Sequence, residues 1–247
     1  MGPALDSTAT RYGVIGDGHM ALHMGCYFES LAVPYRRWSR RLEHDASLSL
    51  GTAVGPCQIV LVLINDVAIE PFITSHPELA EKTLVHFSGS LTTPHAQSMH
   101  PLSTFAGELY SLSTYATIPF VCEEGPHTFD EIFPELPNPH YTIAQELRPL
   151  YHSLAVLAGN CTTVLWSKLF DTFEERLALP RNIAVPYLKQ VALNLELAPT
   201  NAATGPLVRG DRQTVDANIA ALEGDPFQAV YRAFVEAVAP HDATSRP

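Results

Sequence analysis

The segment GDGHMA, residues 16–21, has glycine at its first and third positions and alanine at its sixth. In the G-x-G-x-x-A turn of dinucleotide-binding folds, the first glycine allows a tight turn and the second lets the backbone approach a pyrophosphate. A predicted strand (RYGVIG, 11–16) precedes the segment and a predicted helix (HMALHMGCYFESL, 19–31) follows it, so phosphates would lie at the positive end of that helix. The alternative is a turn with a purely structural role. We expect the pyrophosphate to be bound by Gly16, Asp17, Gly18, His19 and Met20.

A cluster of arginines follows about twenty residues further on, in VPYRRWSRR (33–41). Enzymes that use NAD place an acid at this point to bind the ribose 2′-hydroxyl, but this segment has no acid before Glu43. Arginine matches phosphate oxygens with paired donors. We therefore expect Ser39, Arg40 and Arg41 to bind the 2′-phosphate of NADP, and a basic surface loop is the alternative.

The composition limits the classes of partner. The chain has 247 residues and a formal net charge of −11, which disfavours general nucleic-acid binding because phosphate backbones repel an acidic surface. The longest aliphatic run, IVLVLI (59–64), is too short to cross a bilayer, and the start of the chain lacks the pattern of a signal peptide. The four cysteines form no CxxC pair, and the eleven histidines form no recognised metal motif. We expect a cytoplasmic protein with no metal and no nucleic-acid or membrane partner.

Strands and helices are predicted to alternate in the first part of the chain. A short helix is predicted in DVAIEPFITSH (66–76), and further strands are predicted in VPYRRW (33–38), CQIVLVLIN (57–65), AEKTLVHFSG (80–89) and STYATIPFVCEE (113–124). The near-continuous aliphatic run of the third strand is typical of a parallel strand buried on both faces. The alternation predicts a doubly wound parallel sheet, a Rossmann domain, over residues 1–147.

The remainder, residues 148–247, is predicted to be an all-α domain for substrate binding and dimerisation. Its first segment (149–177) reads as one long helix whose start is apolar on nearly every side, so we expect that start to be buried. Shorter helices are predicted at 185–197, 211–224 and 225–239, with Asp211 as an N-cap. The predicted fold class is therefore α/β, with an N-terminal Rossmann sheet followed by a helical domain.

Four further motifs follow in order: VHFSGSL (85–91), SMHPLSTF (98–105), RPLYHSLAVLAGN (148–160) and TGPLVRGD (204–211). With the glycine turn, they resemble the Rossmann-like NAD(P) oxidoreductases that carry the helical "domain of unknown function 2520". That family is similar to pyrroline-5-carboxylate reductase and to the 6-phosphogluconate dehydrogenase superfamily. The resemblance implies NADP(H) as cofactor and usually a homodimer, but it implies no particular substrate.

In such two-domain reductases the nicotinamide lies at the carboxyl ends of the strands. The motifs place six polar or small residues there: His86, Ser88, Gly89, His100, His152 and Asn160. We expect His86 and Gly89 to contact the cofactor, and the other four to take part in catalysis. Hydride reduction needs a proton for the heteroatom, and histidine can supply one near neutral pH. His152 is the first candidate donor and His100 the second, although a buried histidine can also be a hydrogen-bonded core residue.

Two further inferences concern the substrate. Thr204 and Arg209, in the loop TGPLVRGD, are expected to bind it, because arginine can clamp a carboxylate. Related hydroxyacid dehydrogenases use a lysine followed four residues later by asparagine, a pattern absent around His152, so their mechanism is not transferred. The sequence predicts an NADPH-dependent reductase of a small carbonyl or imine. An NADP–deazaflavin hydride-transfer enzyme and a non-catalytic NADP-binding sensor or scaffold remain alternatives.

Overall fold

The computed structural model describes residues 11–46 and 48–238. The expectation about a signal peptide concerns residues 1–10, which lie outside this part. The chain divides into two compact units, residues 1–165 and 166–247, which are described in turn. The sequence placed the domain boundary earlier, between residues 147 and 148, whereas the start of the long helix groups with the sheet.

The first unit is built on a seven-stranded sheet with the order β2-β1-β3-β4-β5-β6-β7. Its strands are β1 Tyr12–Ile15, β2 Tyr35–Trp38, β3 Ile59–Val62, β4 Thr83–His86, β5 Gln97–Pro101, β6 Phe120–Glu123 and β7 His140–Ile143. The first five pair in parallel, as predicted for a Rossmann sheet. However, β6 runs antiparallel to β5, and β7 runs parallel to β6. The sequence pattern predicted neither this reversal nor the polar strands β5 and β7.

Helices cover both faces of this sheet. They are α1 His19–Ser30, α2 Arg40–Ala46, α3 Leu50–Val54, α4 Asp66–Ser75, α5 Leu112–Thr117, α6 Phe129–Ile132 and α7 Arg148–Val156. Two buried apolar clusters result, one on each face. Val14 of β1 belongs to the first cluster and Ile15 to the second, because successive residues of a strand point to opposite faces. The α/β fold class is confirmed, with a doubly wound sheet whose last two strands are reversed.

The long helix predicted at 149–177 is continuous but not uniform. After α7 come a π-helical turn, Leu157–Cys161, and then α8, Thr162–Arg176. The expected burial of its start was wrong, because Leu150, Leu154 and Leu157 are exposed by 61%, 57% and 62%. Only one side of α7 packs on the sheet, and this side carries the fully buried Arg148.

The second unit is helical, as predicted. It contains most of α8, then α9 Val185–Leu197, α10 Pro206–Arg209, α11 Arg212–Ala221 and α12 Phe227–Val238. Asp211 caps α11 by accepting a hydrogen bond from the N–H of Thr214, which confirms its predicted role. The segment expected to be a loop forms α10, flanked by Gly205 and Gly210 with φ of 99° and 70°. In the described ranges, no helix combines the length and apolar character needed to cross a membrane.

Candidate functional site

A cleft of about 1060 Å³ opens where β1, β2 and β3 end. Its lining contains all the residues predicted to bind the pyrophosphate and the 2′-phosphate: Gly16, Asp17, Gly18, His19, Met20, Ser39, Arg40 and Arg41. Gly16 has φ of 135°, and a Cβ there would collide with the carbonyl of Leu63, so the turn requires glycine. The glycine turn and the arginine cluster thus share one cleft, as the sequence predicted.

The charged side chains of this cleft are open to solvent. Arg41 Nε lies 3.6 Å from Asp17 Oδ2, and both side chains are largely exposed, so this ion pair contributes little stability. Ser39 is buried, and its Oγ accepts a hydrogen bond from the N–H of Leu42 at the start of α2. Among the described residues nothing accepts the hydroxyl proton of Ser39, which leaves that proton available to a phosphate oxygen.

The α4 side of the cleft was missed by sequence reasoning. Asn65, which caps α4, lines the cleft together with Val67, Phe72 and His76. The rings of Phe72 and His76 stack with centroids 4.1 Å apart, and His76 Nδ1 lies 2.7 Å from the Phe72 carbonyl oxygen. The segment 66–76 was recognised only as a helix, because no motif marks the side of it that faces the cleft.

A second group of polar residues lies at the carboxyl end of β4. Ser88 Oγ donates a hydrogen bond of 2.6 Å to Asp66 Oδ2, and the N–H of Ser88 donates to His86 Nδ1 at 3.2 Å. Because Nδ1 of His86 accepts, the proton of the neutral ring must be on Nε2. This Nε2 is enclosed and has no partner in the described part of the chain. The hydrogen bonds of Ser88 to His86 and to Asp66 therefore fix the orientation of both side chains.

Helix α7 brings two more of the predicted residues to this group. The His152 ring packs on Gly89 so closely that a Cβ added to the glycine would lie 2.9 Å from Cε1 and nearer still to Nδ1. The His100 ring, from β5, stands perpendicular to the His152 ring with centroids 5.8 Å apart. His100 Nδ1 also lies 2.7 Å from the hydroxyl oxygen of Tyr151, a residue the sequence did not single out. The structure thus brings together His86, Ser88, Gly89, His100 and His152.

The remaining predicted residues lie elsewhere. Asn160 is exposed in the π-helical turn, and no hydrogen bond joins its side chain to the histidines in the described residues. Thr204 and Arg209 are exposed residues of the second unit, next to and within α10. Their roles stay predictions.

A buried ion pair lies beside the histidines, and no sequence motif predicts it. Arg148 is fully buried, and its Nη2 donates a hydrogen bond of 2.6 Å to the Ser88 carbonyl oxygen. Its Nε lies 3.6 Å from Oε2 of the buried Glu123, whose Oε1 accepts from the N–H of Ser98 at 2.7 Å. Arg148 was read only as the start of a helix, and Glu123 only as the end of a strand.

Burial near Arg148 keeps two histidines neutral. Burial lowers the pKa of His86 to about 4, and the charges of Arg148 and His100 act in the same direction. Burial also lowers the pKa of His100 to about 4, aided by His152 and Arg148. Burial raises the pKa of Glu123, although the N–H of Ser98 and Arg148 oppose this.

Among the described residues, no group of three or more histidine, cysteine, aspartate or glutamate side chains could hold a metal ion. The four cysteines are free thiols. The first unit thus contains two groups of candidate functional residues. The cleft with the glycine turn and the arginines can bind a phosphate-rich ligand, and the histidine group can transfer a proton.

Comparison with known proteins finds a family model that matches about half of the chain. Residues 118–238 match the family model described as domain of unknown function DUF2520. The chain carries a DUF2520 domain. The resemblance inferred from the sequence motifs is confirmed, although no curated protein matches this DUF2520 protein.

Solved structures resemble the DUF2520 protein over nearly its whole length. A candidate NADP oxidoreductase from Bacteroides fragilis is 20% identical with a TM-score of 0.72, covering 93% of this chain and 97% of its own. An imine reductase from Streptomyces aurantiacus is 14% identical with a TM-score of 0.64, covering 92% and 93%. A reductive aminase from Aspergillus terreus, solved with NADPH and ethyl levulinate, is 14% identical with a TM-score of 0.62, covering 95% and 97%. At these identities the similarity establishes the fold.

The low pKa of His86 makes stability depend on pH. The unfolded chain takes up the histidine proton near pH 6.5, whereas folded His86 resists it until about pH 4, so stability is present above 6.5 and is lost as pH falls toward 4. This one group should remove about 3 kcal/mol over that window. We expect urea unfolding to show a smaller loss between pH 7 and 4.5 for His86→Asn than for wild type. Replacing the exposed His95 by Asn should keep the wild-type loss, and equal losses in all three proteins would contradict the assignment.

Proposed function

We propose that this DUF2520 protein is an NADPH-dependent reductase of a small carbonyl or imine compound. The observation that carries the proposal is the presence of the Gly16–Gly18 turn and the Arg40–Arg41 pair in one cleft, with the histidine group of His86, His100 and His152 in the same unit. The first constellation suits a dinucleotide with an extra phosphate, and the second suits proton transfer.

The residues of the cleft fit NADP. The glycine turn leaves room for a pyrophosphate at the start of α1, and Gly16 cannot be replaced there without a collision. Ser39 has an uncommitted hydroxyl proton, and the exposed guanidinium groups of Arg40 and Arg41 can form charged hydrogen bonds to a 2′-phosphate. When bound, the cofactor would supply the hydride, while the protein supplies binding, orientation and the proton.

A carbonyl or imine substrate is the class that accepts a hydride from the cofactor and a proton from the protein. Hydride addition to C=O or C=N leaves a heteroatom that needs a proton, and His100 and His152 are adjacent candidate donors. The similar folds of an imine reductase and a reductive aminase support this substrate class. The test is NADPH oxidation against a panel of ketones and cyclic imines. NADPH binding without oxidation by any of them would instead favour a non-catalytic binding protein.

Cofactor selectivity is expected to depend on the two arginines. Replacing both Arg40 and Arg41 by alanine removes charged hydrogen bonds worth about 1.5–3 kcal/mol each, so NADPH affinity should fall by about 100-fold or more. NADH lacks the 2′-phosphate, and its affinity should change little. Calorimetric titration of both cofactors measures this, with Arg36→Ala, an exposed arginine outside the cleft lining, as control. Equal losses for NADPH and NADH would refute the assignment.

We also propose that two copies of the chain associate through the second unit. On α12, Val230, Phe234 and Val238 are spaced by four residues and form one exposed apolar stripe, and Leu197 of α9 is 73% exposed. A second copy is the simplest occupant, because a two-fold axis pairs identical patches. Sedimentation at micromolar concentration should show a dimer for wild type and for the control Gln213→Glu, but a monomer for Phe234→Glu. A wild-type monomer would contradict the proposal.

A further inference from the structure

We propose that Tyr151 is a positioning residue for His100: its hydroxyl donates a hydrogen bond to Nδ1, so that Nε2 carries the proton delivered to the substrate. The inference rests on the proposed reductase function and names the donor within it. It begins from the 2.7 Å contact between His100 Nδ1 and the Tyr151 hydroxyl, with the two rings nearly perpendicular at 77°.

The direction of this hydrogen bond follows from the partners available. If Tyr151 donates, its only proton is used and Nδ1 of His100 is satisfied. If Nδ1–H donated instead, the hydroxyl proton of Tyr151 would have no acceptor in the described part of the chain. The first arrangement satisfies more groups, and the bond made by one ring nitrogen decides where the proton lies on the other.

Comparison of the three imidazoles favours His100 as the donor. The protonated nitrogen of His86, Nε2, is enclosed in a residue with no exposed surface, so no substrate atom can reach it. His152 has its Nδ1 enclosed against Gly89, and among the described residues no hydrogen bond to this nitrogen fixes the ring tautomer. His100 is half-buried, and its Nε2 is neither hydrogen-bonded nor enclosed in the described residues. His100 therefore combines a fixed tautomer with an open N–H.

Burial and the nearby charges keep His100 neutral, as this tautomer requires. Burial lowers the pKa of His100 to about 4, and His152 and Arg148 on α7 also oppose a positive charge on the ring. His86 of β4 is close enough for a charge on His100 to lower the pKa of His86 as well. Burial raises the pKa of Tyr151 to about 12, so the hydroxyl keeps its proton and remains a donor at neutral pH.

The proton transfer balances without a further reactant. NADPH bound in the cleft would supply a hydride to the substrate carbon, and the electron pair of the C=O or C=N bond would move to the heteroatom. The heteroatom takes the Nε2 proton of His100, while Nδ1 takes the hydroxyl proton of Tyr151. Water then returns a proton to Nε2 of His100, and Nδ1 gives its proton back to the Tyr151 phenolate, which restores the starting tautomer and the phenol.

The first test needs no substrate. In protein labelled with ¹⁵N at histidine, the ring signals of His100, assigned by their loss in His100→Asn, should show Nε2 protonated and Nδ1 unprotonated at neutral pH. Tyr151→Phe should move these signals toward the average of two tautomers, while the exposed-tyrosine control Tyr141→Phe should not. A protonated Nδ1 in wild type, or identical His100 signals in wild type and Tyr151→Phe, would overturn the proposal whether or not the protein is a reductase.

The second test uses turnover. Tyr151→Phe should lower kcat by about 10- to 100-fold and leave NADPH affinity unchanged, and His100→Ala should lower kcat by about 10²–10⁴-fold. The double variant should be no slower than His100→Ala, since both changes act through one group. Full additivity in the double variant, or a larger loss for His152→Ala than for His100→Ala, would overturn the proposal. If no substrate is turned over, the reductase function fails while the tautomer measurement still decides the role of Tyr151.

Discussion

The arrangement of the histidine group and of Ser88 depends on one buried charge, the guanidinium group of Arg148. A buried arginine must find acceptors, because an unpaired charge in the interior costs far more than the protein's net stability allows. Arg148 has one acceptor, the Ser88 carbonyl, and one ion-pair partner, the carboxylate of Glu123. One comes from the end of β4 and the other from β6, so this side chain fixes α7 against two strands. The pair serves to define geometry, since desolvation opposes the charged form of both partners.

Arg148 affects both the position of His152 and the ionisation of the other two histidines, which burial already keeps neutral. His152 lies one helical turn after Arg148, and this spacing sets its ring against Gly89, where only a glycine leaves room. The same guanidinium charge disfavours protonation of His86 and His100. A reductase gains from neutral imidazoles, because they can donate a proton without placing another positive charge in a buried region. The charge of Arg148 therefore influences the proposed proton transfer electrostatically, without Arg148 contacting the substrate.

The sequence predicted the parts of the molecule whose signals are local. The glycine turn, the arginine cluster and the cap at Asp211 each lie within a few consecutive residues, and each is found where expected. The reversal of β6 was not predictable, since a strand's direction depends on the connection before it and not on its own pattern. Arg148 and Glu123 were missed for a related reason: their partnership joins residues 25 apart in the chain, and an isolated arginine or glutamate more often lies at the surface.

Ser88 connects the histidine group to the cleft that contains the glycine turn and the arginines. Its carbonyl accepts from Arg148 and from Ser98 Oγ, which holds the backbone after β4 in place. Its hydroxyl donates to Asp66, the first residue of α4, and the preceding Asn65 lines the proposed cofactor cleft. A shift in the histidine group would therefore be transmitted through Ser88 to the start of α4, beside the cleft. Because these links are hydrogen bonds of 2.6 to 2.8 Å centred on the buried Ser88, the distance between the proposed cofactor and proton-donor sites is set by the folded structure before either ligand binds.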